Sequence, residues 1–130
     1  MKPSNAPGQI MHRIRSLGTG PALLVRRAAG EFSLYRHGRV ISIELSETVA
    51  ITGVNQDQIT YEENFLVLTQ ADSSWIAVGE LDEGMQMLEA DLSSLLPGFL
   101  PQWQAAVECA MVGDQVALWA RTPDSDATAS

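Results

Sequence analysis

Residues 31–45 read EFSLYRHGRVISIEL, and this stretch decides the fold class. Phe32, Leu34 and Arg36 alternate with Ser33 and Tyr35; beyond His37-Gly38, Ile41, Ile43 and Leu45 alternate with Ser42 and Glu44. Successive side chains of a strand point to opposite faces, so this period marks strands with one buried face and one wet face. Two such runs joined by a glycine-containing pair of residues predict an antiparallel hairpin.

The same reading extends in both directions. Residues 22–27 form a further candidate strand. Residues 48–54 are apolar and β-branched, and the polar cluster 55–58 is expected to end them. Residues 59–62 lead to an expected turn at Glu63-Asn64, and 65–69 and 75–78 flank a turn cluster at 71–74. The period then changes to that of a helix. Leu81, Met85, Leu88, Leu92 and Leu95 share one stripe, Asp82 and Glu83 suit a helix start, and Pro97-Gly98 is a stop. Ala105, Ala106 and Ala110 favour a second helix over a strand in 103–112, with a strand over 115–120. Near the beginning, Ile10, Met11, Ile14 and Leu17 recur at helical spacing before Gly18.

The expected fold is therefore α+β. It is a curled, mostly antiparallel sheet of about six or seven strands, covered by an amphipathic helix near 82–96, with a short N-terminal helix. Residues 1–9 read as a flexible lead-in, 10–121 as a single domain, and 122–130 as a disordered tail.

Composition bounds the function classes. The chain has 130 residues, 45% of them hydrophobic, and a formal charge of −8. Such a balance repels phosphate and argues against specific or general nucleic-acid binding. The charge is unevenly spread: the first 40 residues carry +6 and the remaining 90 carry −14. Arg13, Arg15, Arg26, Arg27, Arg36, His37 and Arg39 are accordingly the candidate partner-binding residues. The alternative is a basic segment packed on the protein's own acidic body. No run approaches the roughly 20 apolar residues of a membrane span, and no secretory signal is evident, so a cytoplasmic location is expected.

The residues that carry chemistry are few. Cys109 is a lone cysteine in an apolar run and is expected to be a buried, inert thiol rather than a nucleophile served by His12 or His37. No metal-ligand spacing occurs, no cofactor motif is complete, and Gly18-Thr19-Gly20 lacks the rest of a phosphate loop. Glu80, Asp82 and Glu83 read as a solvated helix start, and Glu62 and Glu63 as opposite-facing neighbours in a strand. Trp75, Trp103 and Trp119 are expected in the core or at its rim. No catalytic residue emerges.

The run from Thr48 to Leu96 reads strand, strand, strand, then an acidic-started helix. In Ile59-Thr60-Tyr61, in 65–69, in 75–78 and in 81–96 it resembles the second half of bacterial pleckstrin-homology-like domains. The resemblance implies a curled antiparallel sheet closed at one end by an amphipathic helix, and binding of lipids, peptides or proteins rather than catalysis. Residues 99–121 and the short first helix depart from that pattern. In outline the chain is also similar to type III secretion chaperones, which implies a dimer holding an unfolded segment. The expected function is a non-enzymatic binding module for a protein partner or an anionic surface. The alternatives are a chaperone-like dimer and an enzyme using carboxylates that spacing does not reveal.

Overall fold

The alternation in residues 31–45 becomes a hairpin of β2 (Glu31–Arg36) and β3 (Arg39–Glu44), with Phe32 opposite Ile43 and Leu34 opposite Ile41. His37 (φ 53°) and Gly38 (φ 74°) form its turn, and both positive φ values suit the twist of the flanking strands. This is a computed structural model, and it describes residues 22–57, 62–99, 101–110 and 114–122. The expected lead-in at 1–9 and first helix at 10–17 lie outside the described residues, as does most of the expected tail.

β1 (Leu23–Ala28) pairs with the other side of β2, with a register shift between Arg26 and Ala28. A 3-10 turn at Leu45–Glu47 leads into β4 (Thr48–Asp57). β4 pairs with β5 (Glu62–Gln70) on one side and with β7 (Gln115–Ala120) on the other, and β6 (Trp75–Gly79) pairs with β5. All neighbours are antiparallel, giving two sheets of order β1-β2-β3 and β6-β5-β4-β7.

Two open sheets therefore stand where one curled sheet was expected. The division falls at the 3-10 turn. The Leu45 amide donates to Gly30 O, and the chain then leaves the β2 ladder with the Leu45 side chain buried. Arg121 holds this corner by donating to Leu45 O and Thr48 O.

The polar residues of β4 and β5 bring a second correction. Asn55 lies opposite Asn64 and Gln56 opposite Glu63, so the expected strand end and turn are interior ladder positions. Asn55 Nδ2 donates to Asn64 Oδ1 at 2.8 Å, which lets both amides stay in the sheet. Residues 58–61, and with them most of the expected strand 59–62, lie outside the described residues.

The covering helix α1 spans Met85–Leu95 rather than 82–96. Asp82 precedes it, and its carboxylate is occupied by backbone amides instead of capping. Gly84 (φ 90°) starts the helix, where a Cβ would lie 2.2 Å from Leu24 O. Met85, Leu88 and Leu92 are buried as expected, whereas Leu81 and Leu95, at the ends of the stripe, are exposed. A second helix, α2 (Trp103–Glu108), precedes β7 in the order expected.

One hydrophobic cluster joins Phe32, Leu34 and Ile43 of the first sheet, Ile51, Leu66 and Leu68 of the second, the buried side chains of α1, and Trp103 and Val107 of α2. At about 25 cal/mol per Å² of apolar surface removed from water, this cluster is the main force joining the layers. A smaller cluster, Val54, Phe65, Val67 and Ala77, lies on the opposite face of the second sheet.

Candidate functional site

A groove of about 420 Å³ lies between β3 and β6, the outermost strands of their respective sheets. Ile41 and Ser42 form one wall, and Trp75 and Ile76 the other. Glu44, Glu47 and Asp72 also line the groove, and among the described residues no basic side chain does. Each carboxylate comes from a turn or a strand end. Glu44 closes β3 and Glu47 ends the 3-10 turn, while Asp72 sits in the β5–β6 hairpin.

That hairpin is fixed locally. Asp72 Oδ1 accepts from Ser74 Oγ at 2.6 Å and from the Ser74 amide at 2.9 Å. These bonds, the hydroxyl foremost, hold the Asp72 carboxyl below its usual range, so it stays ionised. The Ala71 amide donates to Glu47 O at 2.8 Å and ties the hairpin to the 3-10 turn.

The sequence-selected basic residues do not gather there. Arg13 and Arg15 lie outside the described residues. Arg26 Nε donates to Asp91 Oδ2 at 2.9 Å, pinning β1 to α1. Arg36 is largely buried: Nη2 meets Asp82 Oδ2 at 2.9 Å, and Nη1 donates to Ala77 O at 3.0 Å. Arg27 and Arg39 are exposed, and His37 occupies the β2–β3 turn. Arg26 and Arg27 lie beside the start of β2 while Arg36, His37 and Arg39 lie at its end, so the length of a strand separates the two groups.

Several side chains lie where spacing did not place them. Asp82, expected in solvent, is buried and accepts from the Ala22 and Gly79 amides as well as from Arg36. Cys109, expected to be buried, is exposed, because α2 turns Trp103 and Val107 inward and ends one residue before it. Trp103 lies in the core, Trp119 is half-buried against it, and Trp75 is half-buried against the smaller cluster on the opposite face of the second sheet.

The second sheet also holds a polar cluster. Asn64 Nδ2 donates to Glu108 at 2.9 Å and to Glu80 at 3.4 Å, and Asn55 Oδ1 beside it is buried without a partner. On the other face, Glu63 lies over Gly79 and accepts from the Leu81 amide. Burial pushes its carboxyl up, the Leu81 amide opposes this in part, and the charges of Asp82 and Glu80 add to the rise. Among the described residues, no group of three or more His, Cys, Asp or Glu side chains is arranged to hold a metal ion.

Of the described helices, none is long and apolar enough to cross a membrane. No protein-family model, no curated protein and no solved structure matches the chain.

Proposed function

We propose that the chain is a non-enzymatic binding module whose partner is another protein. The observation that carries this reading is a row of apolar side chains on the outer face of the first sheet. Leu23 lies opposite Tyr35, and Tyr35 opposite Val40, and the three are 40%, 44% and 59% exposed. Val25 extends the row at 39%. Cross-strand neighbours of this kind make a continuous surface rather than scattered exposures, and continuous apolar surface marks association sites.

The acid-rimmed groove beside β3 favours a protein over an anionic surface, because Glu44, Glu47 and Asp72 would repel phosphate. The pleckstrin-homology-like reading is kept as part of this proposal. It is supported by the order of antiparallel strands followed by α1 on the buried face, while α2 and β7 are additions to that pattern.

The test is Tyr35→Asp combined with Val40→Asp, both on the solvent face of the sheet. Wild-type protein should retain a stoichiometric protein from extract of its own cells through a high-salt wash, and the variant should lose it at an unchanged melting temperature. A native mass twice 14.1 kDa in the wild type alone would assign the face to a second copy, as the chaperone-like reading requires. Equal capture by both proteins would remove the reading.

A further inference from the structure

We propose that the groove between β3 and β6 takes a basic side chain carried by an extended segment that adds to the free edge of β3. This rests on the reading of the chain as a protein-binding module, and it assigns to one site the chemistry of the partner.

Main-chain geometry supplies the first argument. Arg36 and Arg39 close a two-residue turn, so Val40, Ser42 and Glu44 direct their N–H and C=O groups away from β2. Glu44 O accepts from Thr48 Oγ1, in keeping with that orientation. Among the described residues, neither Val40 nor Ser42 makes a backbone bond to anything beyond β2. An edge with unmet donors and acceptors is a template for a further strand. Natural edges are blunted by lysine, proline or a bulge, and β3 has none of these between Val40 and Glu44.

Charge supplies the second. Among the described residues, no basic side chain lines the groove beside Glu44, Glu47 and Asp72, while Ile41 and Ile76 offer apolar contact to a methylene stem. A lysine or arginine buries its stem along such a wall and leaves its cationic head among the carboxylates. A neutral or acidic side chain would leave them unpaired.

Rigidity supplies the third. One flank of the groove is held by the Arg36–Ala77 O bond at 3.0 Å and the other by the Ala71–Glu47 O bond at 2.8 Å. The walls are in place before a ligand arrives, so little ordering cost is left for binding.

The experiment uses the isotope-labelled full chain and two blocked pentapeptides, Ac-Val-Arg-Val-Arg-Val-NH2 and its glutamate counterpart, at physiological salt. The arginine peptide should give saturable amide shifts at residues 40–44 and 71–76, and the glutamate peptide none. Glu44→Lys with Glu47→Lys, both exposed, should weaken binding about tenfold or more. Ser42→Pro, which removes one outward N–H at an edge that tolerates proline, should weaken it about fivefold. The proposal is overturned by an absence of saturable shifts, by equal binding of the glutamate peptide, or by binding indifferent to the double reversal. Failure here with capture still lost in the Tyr35→Asp, Val40→Asp variant removes only the groove assignment. Peptide binding without partner capture removes only the role of the sheet face.

Discussion

Asp82 offers the sharpest test of how this fold is held. Its Oδ1 accepts from the Ala22 amide at 3.0 Å, and its Oδ2 accepts from the Gly79 amide and from Arg36 Nη2, both at 2.9 Å. One carboxylate thus joins the entry to β1, the end of β6 and the end of β2. Asp82→Ala removes the acceptor and leaves the Arg36 guanidinium buried with Ala77 O as its remaining bonded partner. Breaking a buried pair from one side costs about 3–5 kcal/mol, because the other charge stays behind. Against a total of about 5–15 kcal/mol for a domain, about 4 kcal/mol is a large fraction. Arg36→Met should cost less, about 1–2 kcal/mol, because Asp82 keeps two amide donors that satisfy its charge. Urea unfolding followed by tryptophan fluorescence and far-ultraviolet dichroism measures both. With a slope near 1–3 kcal/mol/M, Asp82→Ala should lower the midpoint by about 2 M with the slope unchanged. A loss below about 1 kcal/mol, or one no larger than that of Arg36→Met, would refute the reasoning.

Three further outcomes follow from particular contacts. Burial pushes the Asp91 carboxyl up, but bonds from Arg26 and the Gly30 amide outweigh this and hold it below 3.8. Its contribution is therefore complete above the unfolded value and lost as pH falls through the folded one. Asp91→Ala should cost about 2 kcal/mol at pH 7, and the gap should close as the pH drops below about 4. Glu63 has the opposite sign. A carboxyl raised above 4.5 by burial makes the folded state bind the extra proton, so stability falls as pH rises past 4.5. Glu63→Gln should be more stable than wild type at pH 7 and equal to it at pH 4, read by paired thermal melts. At Gly53, an added Cβ would lie 2.3 Å from Val107 Cγ2 and 2.9 Å from Leu118 Cδ1. Gly53→Ala should therefore cost about 1–3 kcal/mol in the same urea experiment, by forcing α2 off β4.

What could be read from residues alone follows from which forces are local. The 31–45 hairpin was legible because period-two alternation and a two-residue turn are properties of neighbouring residues. The α1 stripe was legible at its centre, where Met85, Leu88 and Leu92 face the core, but not at Leu81 and Leu95, whose exposure depends on where the helix starts. That start is set by Asp82, and its amide donors lie 60 residues away at Ala22 and three residues away at Gly79. Asn55 and Asn64 carry turn propensity, which predicts a strand end and a turn where the ladder in fact continues. A side-chain network reaching Glu80 and Glu108 keeps Asn64 in a ladder, and no short window contains it. The groove was invisible for the same reason. Its carboxylates belong to β3, the 3-10 turn and the β5–β6 hairpin, and they converge only when β3 and β6 become facing edges.

The charge asymmetry of the sequence acquires a structural meaning from the two ion pairs. Arg26 reaches Asp91 across 65 residues, and Arg36 reaches Asp82 across 46. Both arginines belong to the first sheet, and both acids lie in or just before α1, so two of the basic residues tie the first sheet to α1 and the chain leading into it. Arginine suits this use, since its charge persists at any working pH and its fork engages a second acceptor, as Arg36 does at Ala77 O. Asp82 and Asp91 are spent internally, whereas among the described residues no basic side chain joins Glu44, Glu47 and Asp72 in lining the groove. Negative charge thus lies beside β3, at a strand edge whose donors and acceptors face outward next to an apolar wall. A partner segment that is extended, apolar and basic answers all three features at once.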